Sequence, residues 1–291
     1  MSLCEQYCLA ETVEDALHTL VDAPGQATII AGGTDLWLET HQSLRPAVHT
    51  LVDVTRIPEL CALEIRQGEL FIGASLTHSR ITASPLVQQH ARALAEACGM
   101  IGGPQVRNTA TIGGNVAHAL PAADGAIALL ALDAQAEVAS LEERRRLPLA
   151  ALFDGPGKST LHPTRDLLVG FFVPLSKSGQ TSAFGRVMRP QGIPLPILNL
   201  AIWLERRDEK IALVRIVSGP CGPVPTRLFE AEGVLKDKAP ASKIRRAALQ
   251  AILSQAQFRT SRHRATAEYR RHLAGVLFEE VFQKAWERAA G

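Results

Sequence analysis

Two short glycine-rich segments carry the residue types that could hold an anionic ligand. The first reads Ile-Ile-Ala-Gly-Gly-Thr-Asp-Leu over residues 29–36, and the second reads Thr-Ile-Gly-Gly-Asn over residues 111–115. Paired glycines turn sharply and let a ligand approach the main chain without meeting a Cβ atom. Several N–H groups can then converge on one anion, which suits a diphosphate. Asp124, which follows the second segment, could accept hydrogen bonds from sugar or polyol hydroxyls when it is ionised.

A simpler interpretation competes with this one, because an isolated Gly-Gly pair is usually only a turn. Neither segment has the spacing of the Gly-x-Gly-x-x-Gly dinucleotide motif, and neither ends in the Lys-Ser/Thr of a P-loop. The residues alone therefore indicate a candidate nucleotide or diphosphate site and leave its ligand open.

The apolar pattern predicts the helices and strands that would position these segments. An amphipathic helix over 12–22, capped by Thr12, precedes a buried strand over 27–31 that runs directly into the first glycine pair. Further helices are predicted over 85–98, 124–132, 242–255 and 266–289, and further strands over 50–54, 62–65, 70–73, 136–140, 146–149, 166–173, 196–206 and 211–218. Strands and helices do not alternate strictly, which indicates an α+β fold. The polar stretch 176–179 predicts a boundary between a domain at 1–176 and a domain at 180–289.

The composition is that of a globular protein, with 46% hydrophobic residues, 21% charged residues and a net charge of +2. This balance argues against nucleic acid or a membrane surface as a partner. The basic run 259–264 also lacks the interleaved aromatic residues of a surface that binds single-stranded nucleic acid. The N-terminal residues do not resemble a signal peptide, and the richest apolar run is far shorter than the roughly 20 residues of a membrane span. We therefore expect a cytoplasmic protein.

The five cysteines are scattered along the chain without a Cys-x-x-Cys pair. Neither a structural zinc site nor an iron–sulfur cluster is therefore expected on this chain. Cys4 and Cys8 could share one face of a helix, but without a second pair we expect free thiols.

Together, the two glycine segments resemble the FAD-binding subunits of the xanthine dehydrogenase and carbon monoxide dehydrogenase family. That family shows Ala-Gly-Gly-Thr-Asp-Leu early in the chain and Thr-Ile-Gly-Gly-Asn-x-x-x-Ala-x-Pro-x-x-Asp about eighty residues later, and both motifs occur here in that order. Residues 72–77, 105–110, 218–227 and 269–277 also resemble family motifs, so the likeness spans nearly the whole chain. One departure lies at 189–196, where prolines replace the Asp and Ala of the family's Arg-x-x-x-Asp-x-Ala.

The resemblance implies an α+β protein with a two-part FAD-binding domain of the vanillyl-alcohol-oxidase type, followed by a smaller α+β C-terminal domain. The two glycine segments would cradle the FAD diphosphate through main-chain donors, and Asp124 would bind ribityl or ribose hydroxyls. Apolar side chains would contact the cofactor rings, and Arg186 would replace a family lysine near the flavin. The implied cofactor-binding residues are Ile29, Ile30, Ala31, Gly32, Gly33, Thr34, Asp35, Leu36, Ile101, Val106, Thr111, Ile112, Gly113, Gly114, Asn115, His118, Ala119, Asp124, Leu168 and Arg186.

The implied function is electron transfer within a molybdenum hydroxylase. A large partner subunit would hold the molybdenum cofactor, a small one would hold two [2Fe–2S] clusters, and FAD on this chain would pass electrons to NAD or another acceptor. The chemistry would be that of the flavin, so no side chain is expected to act as a nucleophile or general base. Two alternatives stay open: a stand-alone FAD-dependent oxidoreductase of the same fold, and a non-enzymatic subunit that has lost FAD.

Overall fold

The computed structural model describes residues 3–189, 195–262 and 264–290, so most of the proline-rich departure and His263 of the basic run lie outside the described residues. The helices are α1 (Val13–Asp22), α2 (Thr34–His41), α3 (His78–Ala83), α4 (Pro85–His90), α5 (Arg92–Met100), α6 (Pro104–Thr109), α7 (Ile112–Ala117), α8 (Asp124–Ala131), α9 (Phe229–Leu235), α10 (Ser242–Gln255) and α11 (Ala267–Arg288). The strands are β1 (Cys4–Leu9), β2 (Ala27–Ile30), β3 (Val48–Asp53), β4 (Leu63–Arg66), β5 (Glu69–Gly73), β6 (Gln135–Ala139), β7 (Arg144–Pro148), β8 (Phe153–Gly155), β9 (Lys158–Ser159), β10 (Leu167–Pro174), β11 (Gln180–Met188), β12 (Pro196–Arg207), β13 (Lys210–Gly219) and β14 (Thr226–Arg227).

The N-terminal part of the chain contains two main sheets. Strands β1, β3 and β2 form a parallel sheet in that order, and β4, β5, β10, β6 and β7 form an antiparallel sheet. The predicted first helix is confirmed as α1, where the Thr12 hydroxyl accepts the Asp15 N–H at 3.0 Å. Such a cap satisfies a helix N–H group that has no partner within the helix. Helix α1 buries Leu17 and Leu20 in the core, which fixes β2 and the glycine turn behind it.

The C-terminal part is an antiparallel sheet in the order β11, β12, β13 and β14, covered by helices. Helix α11 buries Leu277, Phe278, Val281 and Phe282, which repeat at the three- and four-residue spacing of a helix face. These side chains share a core with one face of β12 and β13, whereas Ala201, Trp203 and Val217 on the other face pack into the core of the N-terminal part. The predicted α+β class is confirmed.

The two parts are joined by polar contacts around α5. Glu96 accepts hydrogen bonds from the Phe184 N–H at 2.9 Å and from Arg288 at 2.6 Å. Although burial alone would raise the pKa of Glu96, these bonds and one from Lys284 lower it. The Ser182 hydroxyl accepts the N–H of Ala93 at the start of α5. The C-terminal part therefore holds α5 in place.

One predicted helix was wrong, and one possible helix is a strand. The expected helix over 85–98 is broken into α4 and α5 at Ala91, whose φ of −138° and ψ of 49° are not helical. Alanine favours helices, so the break has a tertiary cause, and the cap from Ser182 begins a new helix there. Cys4 and Cys8 lie on a strand rather than a helix, because β1 pairs with β3, and neither forms a disulfide bond within the described residues. Every helix of the described residues is too short or too polar to span a bilayer.

Candidate cofactor-binding site

The first glycine segment forms the turn between β2 and α2. Gly33 has a φ of 64°, in the left-handed region that favours glycine. A Cβ atom on Gly32 would lie 2.7 Å from the Cα of Ala110 and closer still to the carbonyl oxygen of Thr109. Glycine is required at both positions, for conformation at Gly33 and for close packing against the end of α6 at Gly32.

The main chain of this turn presents N–H groups that no described residue accepts. Helix α2 begins at Thr34, and its first main-chain bond runs from the Trp37 N–H to the Gly33 carbonyl at 2.8 Å. The N–H groups of residues 31–36 have no acceptor among the described residues. A helix N-terminus of this kind carries partial positive charge and binds anions. The turn therefore fits the diphosphate of a dinucleotide cofactor.

The second glycine segment uses most of its N–H groups within the protein. The Gly113 N–H donates to the Ala74 carbonyl at 2.8 Å, and the Gly114 N–H donates to the Thr111 hydroxyl at 3.2 Å. A Cβ atom on Gly113 would lie 2.6 Å from that Ala74 oxygen. The glycines of this segment thus serve close packing, and the N–H groups of residues 112–115 are used within the protein, unlike those of the first turn.

Asn115, in the second segment, has a side-chain donor that no described residue accepts. Its Oδ1 atom accepts the N–H of Ala126 at 3.2 Å, which links the segment to α8. Its Nδ2 atom has no described acceptor, and the side chain is partly exposed. An amide nitrogen carries two donors, so Asn115 can bind an anionic or hydroxyl group of a ligand.

The structure brings the two segments together. Gly32 packs on the residues that precede Thr111, as described above. His118, which follows α7, lies with Nδ1 3.3 Å from Asp35 Oδ2 and with Nε2 3.1 Å from Glu39 Oε1. The hydrogen bond to Asp35 raises the pKa of His118 and lowers the pKa of Asp35. Glu39 was not predicted, although its position four residues after Asp35 places both carboxylates on one helix face.

Asp124 lies at the junction between the two parts of the chain. Its Oδ2 atom is 2.5 Å from Arg186 Nη1 of β11, and its Oδ1 atom accepts a 2.6 Å hydrogen bond from Asn199 of β12. All three side chains are buried. Burial raises the pKa of Asp124, and Arg186 and Asn199 oppose that shift. Asp124 and Arg186, two predicted site residues that lie far apart in the sequence, therefore meet as a buried ion pair.

Asn199 is a polar residue that the sequence analysis missed. It is fully buried, and its Nδ2 atom also donates to the Ala122 carbonyl at 3.1 Å. A single asparagine in the otherwise apolar run Pro-Ile-Leu-Asn-Leu-Ala-Ile-Trp-Leu was the available signal, because a buried amide needs partners.

The apolar residues expected at the cofactor rings differ in exposure. Leu168 is buried at 6% exposure in the core of the N-terminal part, Val106 is 38% exposed, and Ile101 is partly exposed. Arg107 donates to the Ile101 carbonyl at 3.0 Å, which fixes the loop before α6. Ala119 has a φ of 52° and is buried. Val106 and Ile101 are therefore accessible from solvent, whereas Leu168 and Ala119 are enclosed by the chain.

Two aromatic side chains, His78 and Trp37, have contacts within the chain itself. His78 is buried with Nδ1 3.4 Å from the Cys98 sulfur, and burial lowers its pKa to about 4. Trp37 is 53% exposed and stacks on His41, with 4.9 Å between ring centroids. In the described ranges, no group of three or more His, Cys, Asp or Glu side chains could hold a metal ion.

Comparison with known proteins gives matches along nearly the whole chain. A family model described as the FAD binding domain in molybdopterin dehydrogenase matches residues 3–176, and one described as the CO dehydrogenase flavoprotein C-terminal domain matches residues 182–285. The putative xanthine dehydrogenase FAD-binding subunit of Escherichia coli strain K12 is 30% identical over 98% of this chain and 97% of its own length. Subunit alpha of the 6-hydroxypseudooxynicotine dehydrogenase complex of Paenarthrobacter nicotinovorans is 34% identical over 97% of this chain and 95% of its own. A solved structure of carbon monoxide dehydrogenase from Hydrogenophaga pseudoflava has a TM-score of 0.91 at 26% identity and covers 97% of each chain.

The two-part fold and the facing glycine segments define a flavoprotein of the molybdopterin dehydrogenase class. Within that class, the chain belongs to the family of FAD-binding subunits of xanthine dehydrogenase and carbon monoxide dehydrogenase. It is an FAD-dependent oxidoreductase subunit. The predicted family, the FAD-binding domain followed by a C-terminal domain, and FAD as the cofactor are confirmed.

Proposed function

We propose that this chain is the electron-transfer subunit of a heteromeric molybdenum hydroxylase. It takes electrons from [2Fe–2S] clusters on a small partner subunit, after their release from a substrate at the molybdenum cofactor of a large subunit, and delivers them to NAD or another acceptor. Membership of the FAD-binding family supports this proposal, as does a relative named as a subunit of a dehydrogenase complex. The cytoplasmic location stays a prediction.

The observation that carries the cofactor site is the row of N–H groups over residues 31–36 without described acceptors. We propose that these groups bind the FAD diphosphate, with Gly32 and Gly33 keeping the approach clear of Cβ atoms. The side-chain amide of Asn115 adds a donor from the second segment. FAD supplies the two-electron redox chemistry when it is bound.

The buried pair of Asp124 and Arg186 has a positioning role in this proposal. It fixes β11 of the C-terminal part against α8 of the N-terminal part, beside Asn115. Both charges are removed from water, so the pair holds a defined geometry and keeps solvent from that side of the site. The ring contacts of Ile101, Val106 and Leu168, and the binding of FAD hydroxyls by Asp124, remain predictions.

We also propose that the chain divides into domains at 1–176 and 180–289. The extents of the two family models support this division. Under this division, Glu96 and Asp124 belong to the first domain and bond to side chains of the second. The flavin environment is then completed only when both domains are docked.

The experiment that tests the electron-transfer role is anaerobic reduction of the purified, FAD-loaded chain. We expect NADH to bleach the flavin absorption, because the acceptor exchanges electrons directly with the flavin. We expect a heterocyclic substrate to bleach it only after the metal-bearing partner subunits are added. A chain titrated with dithionite serves as the fully reduced reference.

Two outcomes would replace the proposal. Bleaching by a small organic substrate in the isolated chain would indicate a stand-alone oxidoreductase. A folded chain that refuses FAD would indicate a non-enzymatic subunit and would refute the diphosphate site. If the substrate bleaches the flavin in the presence of the partner subunits but NADH does not, the electron-transfer role stands and NAD is excluded as the acceptor.

A further inference from the structure

Both ring nitrogens of His118 face carboxylates of one helix. Nδ1 is 3.3 Å from Asp35 and Nε2 is 3.1 Å from Glu39, and both acids belong to α2. A neutral imidazole can donate from only one nitrogen, whereas an imidazolium donates from both. Two carboxylates at hydrogen-bond distance therefore select the protonated ring. Because both nitrogens are occupied, this side chain acts through α2 rather than by donating to a ligand.

The carboxylates that His118 contacts are unfavourable neighbours for a bound anion. Asp35 lies in the first turn of α2, among the N–H groups without described acceptors. Its negative charge opposes a diphosphate at the same helix terminus. Arg45 lies 4.0 Å from Glu39 and also donates to Thr28 at 3.1 Å, so it can offset one of the two acids. With His118 protonated, these four side chains sum to zero charge, and without that proton they carry one negative charge.

We propose that protonated His118 is a positioning residue for the cofactor, which clamps α2 against the second glycine segment and neutralises the carboxylates beside the diphosphate site. This inference rests on the proposed diphosphate site at residues 31–36. The clamp joins the two segments that flank that site, so losing it both loosens α2 and adds repulsion toward an anionic ligand. The affinity for FAD then depends on the protonation of one histidine.

The sign of the pH dependence follows from the geometry. The charged groups facing His118 in the described chain are Asp35 and Glu39, with Arg45 behind Glu39. The hydrogen bond to Asp35 raises the pKa of His118 above its ordinary value of 6.5. The clamp is therefore complete below that value and is lost as the pH rises through the raised pKa. We expect FAD binding to weaken over the same interval.

The test is the dissociation constant of FAD, measured by fluorescence on the full chain from about pH 5.5 to about pH 9. We expect the wild-type constant to rise on the order of tenfold across this range, which is the effect of about one unit of coupled pKa change. His118→Gln should give a flat profile near the weak, high-pH value of the wild type. Asp35→Asn should instead bind FAD more tightly than the wild type at high pH, because it removes the uncompensated charge.

His18→Gln is the matched control, since His18 faces Asp22 at 3.8 Å on the exposed surface of α1; it should keep the wild-type profile. A flat wild-type profile with intact FAD binding would refute the clamp and leave the diphosphate site standing. A pH slope that persists in His118→Gln would assign the titration to another group and also overturn the proposal. Weakening by Asp35→Asn at every pH, as much as by His118→Gln, would indicate a purely structural contact. No FAD binding at any pH would refute the diphosphate site itself.

Discussion

Replacing Gly32 with alanine tests whether the first glycine turn sets the affinity for FAD. The added Cβ atom would lie 2.7 Å from the Cα of Ala110, whereas Cβ contacts below 3.0 Å essentially never occur. The opposing atoms are main chain and cannot rotate away. They are also held in place, because the Ala110 N–H bonds to Val106 at 2.7 Å and its carbonyl accepts the His78 N–H at 3.2 Å. The turn itself must therefore move by several tenths of an ångström.

Such a movement draws the N–H groups of residues 31–36 away from a diphosphate. A hydrogen bond to a charged group contributes about 1.5–3 kcal/mol, so losing one of them should weaken FAD binding by roughly 10- to 100-fold. Overpacking should also lower the free energy of unfolding by about 1–3 kcal/mol. A domain with a typical free energy of unfolding of about 5–15 kcal/mol stays almost entirely folded after such a loss, so the loss of affinity should exceed any loss of folded protein.

The assay combines FAD titration by fluorescence with urea unfolding of the FAD-free chain. Gly233→Ala in α9 is the matched control, because a Cβ atom there would meet no atom within 4 Å. That variant should keep the wild-type FAD affinity and gain up to about 1 kcal/mol of stability from helix propensity. A folded Gly32→Ala chain that binds FAD as tightly as the wild type would refute the assignment of the diphosphate to this turn.

Other variants test the junction between the two parts of the chain. Asp124→Asn leaves Arg186 buried without a counter-charge and should lower the free energy of unfolding, measured with urea, by about 3–5 kcal/mol. Adding Arg186→Met should recover part of that loss. A double variant that is still less stable than Asp124→Asn would contradict the ion-pair account. Glu96→Gln weakens the bonds from Arg288 and the Phe184 N–H and should cost about 1–3 kcal/mol near neutral pH. Because the pKa of Glu96 lies below its ordinary value of 4.5, its contribution is present above that value and is lost as the pH falls through the lowered pKa. The free energies of unfolding of the wild type and of Glu96→Gln should therefore converge as the pH falls. A difference that stays constant with pH would show that the charge of the Glu96 carboxylate is not involved.

The sequence predicted those elements whose formation depends on local pattern. Helix α1 and strand β2 were found because an apolar stripe, a threonine cap and a β-branched run each act over a few residues. Strand β1 was missed because its partner β3 lies more than 40 residues away in the sequence. The break at Ala91 was missed because its cause, the Ser182 hydroxyl, lies in the other part of the chain.

Contacts between residues far apart in the sequence also limited the prediction of the candidate site. Gly32 and Gly33 could be singled out because a glycine pair after a buried strand has few other uses than a sharp turn or a close approach. The hydrogen-bond state of each N–H could not be predicted, so the two segments were given equal roles, whereas Gly113 and Gly114 bond within the protein. The pairing of Asp124 with Arg186 and the contact of His118 with Glu39 depend on tertiary packing that no spacing rule encodes.

The most direct measurement of the central claim is hydrogen–deuterium exchange of the full chain with and without FAD. The account predicts that FAD slows exchange most strongly at residues 31–36, where the N–H groups have no described acceptor in the chain itself. The amides of Gly113 and Gly114 already bond within the protein and should change less. Binding of FAD with protection elsewhere and none at 31–36 would contradict the account, because the diphosphate would then lie at another site.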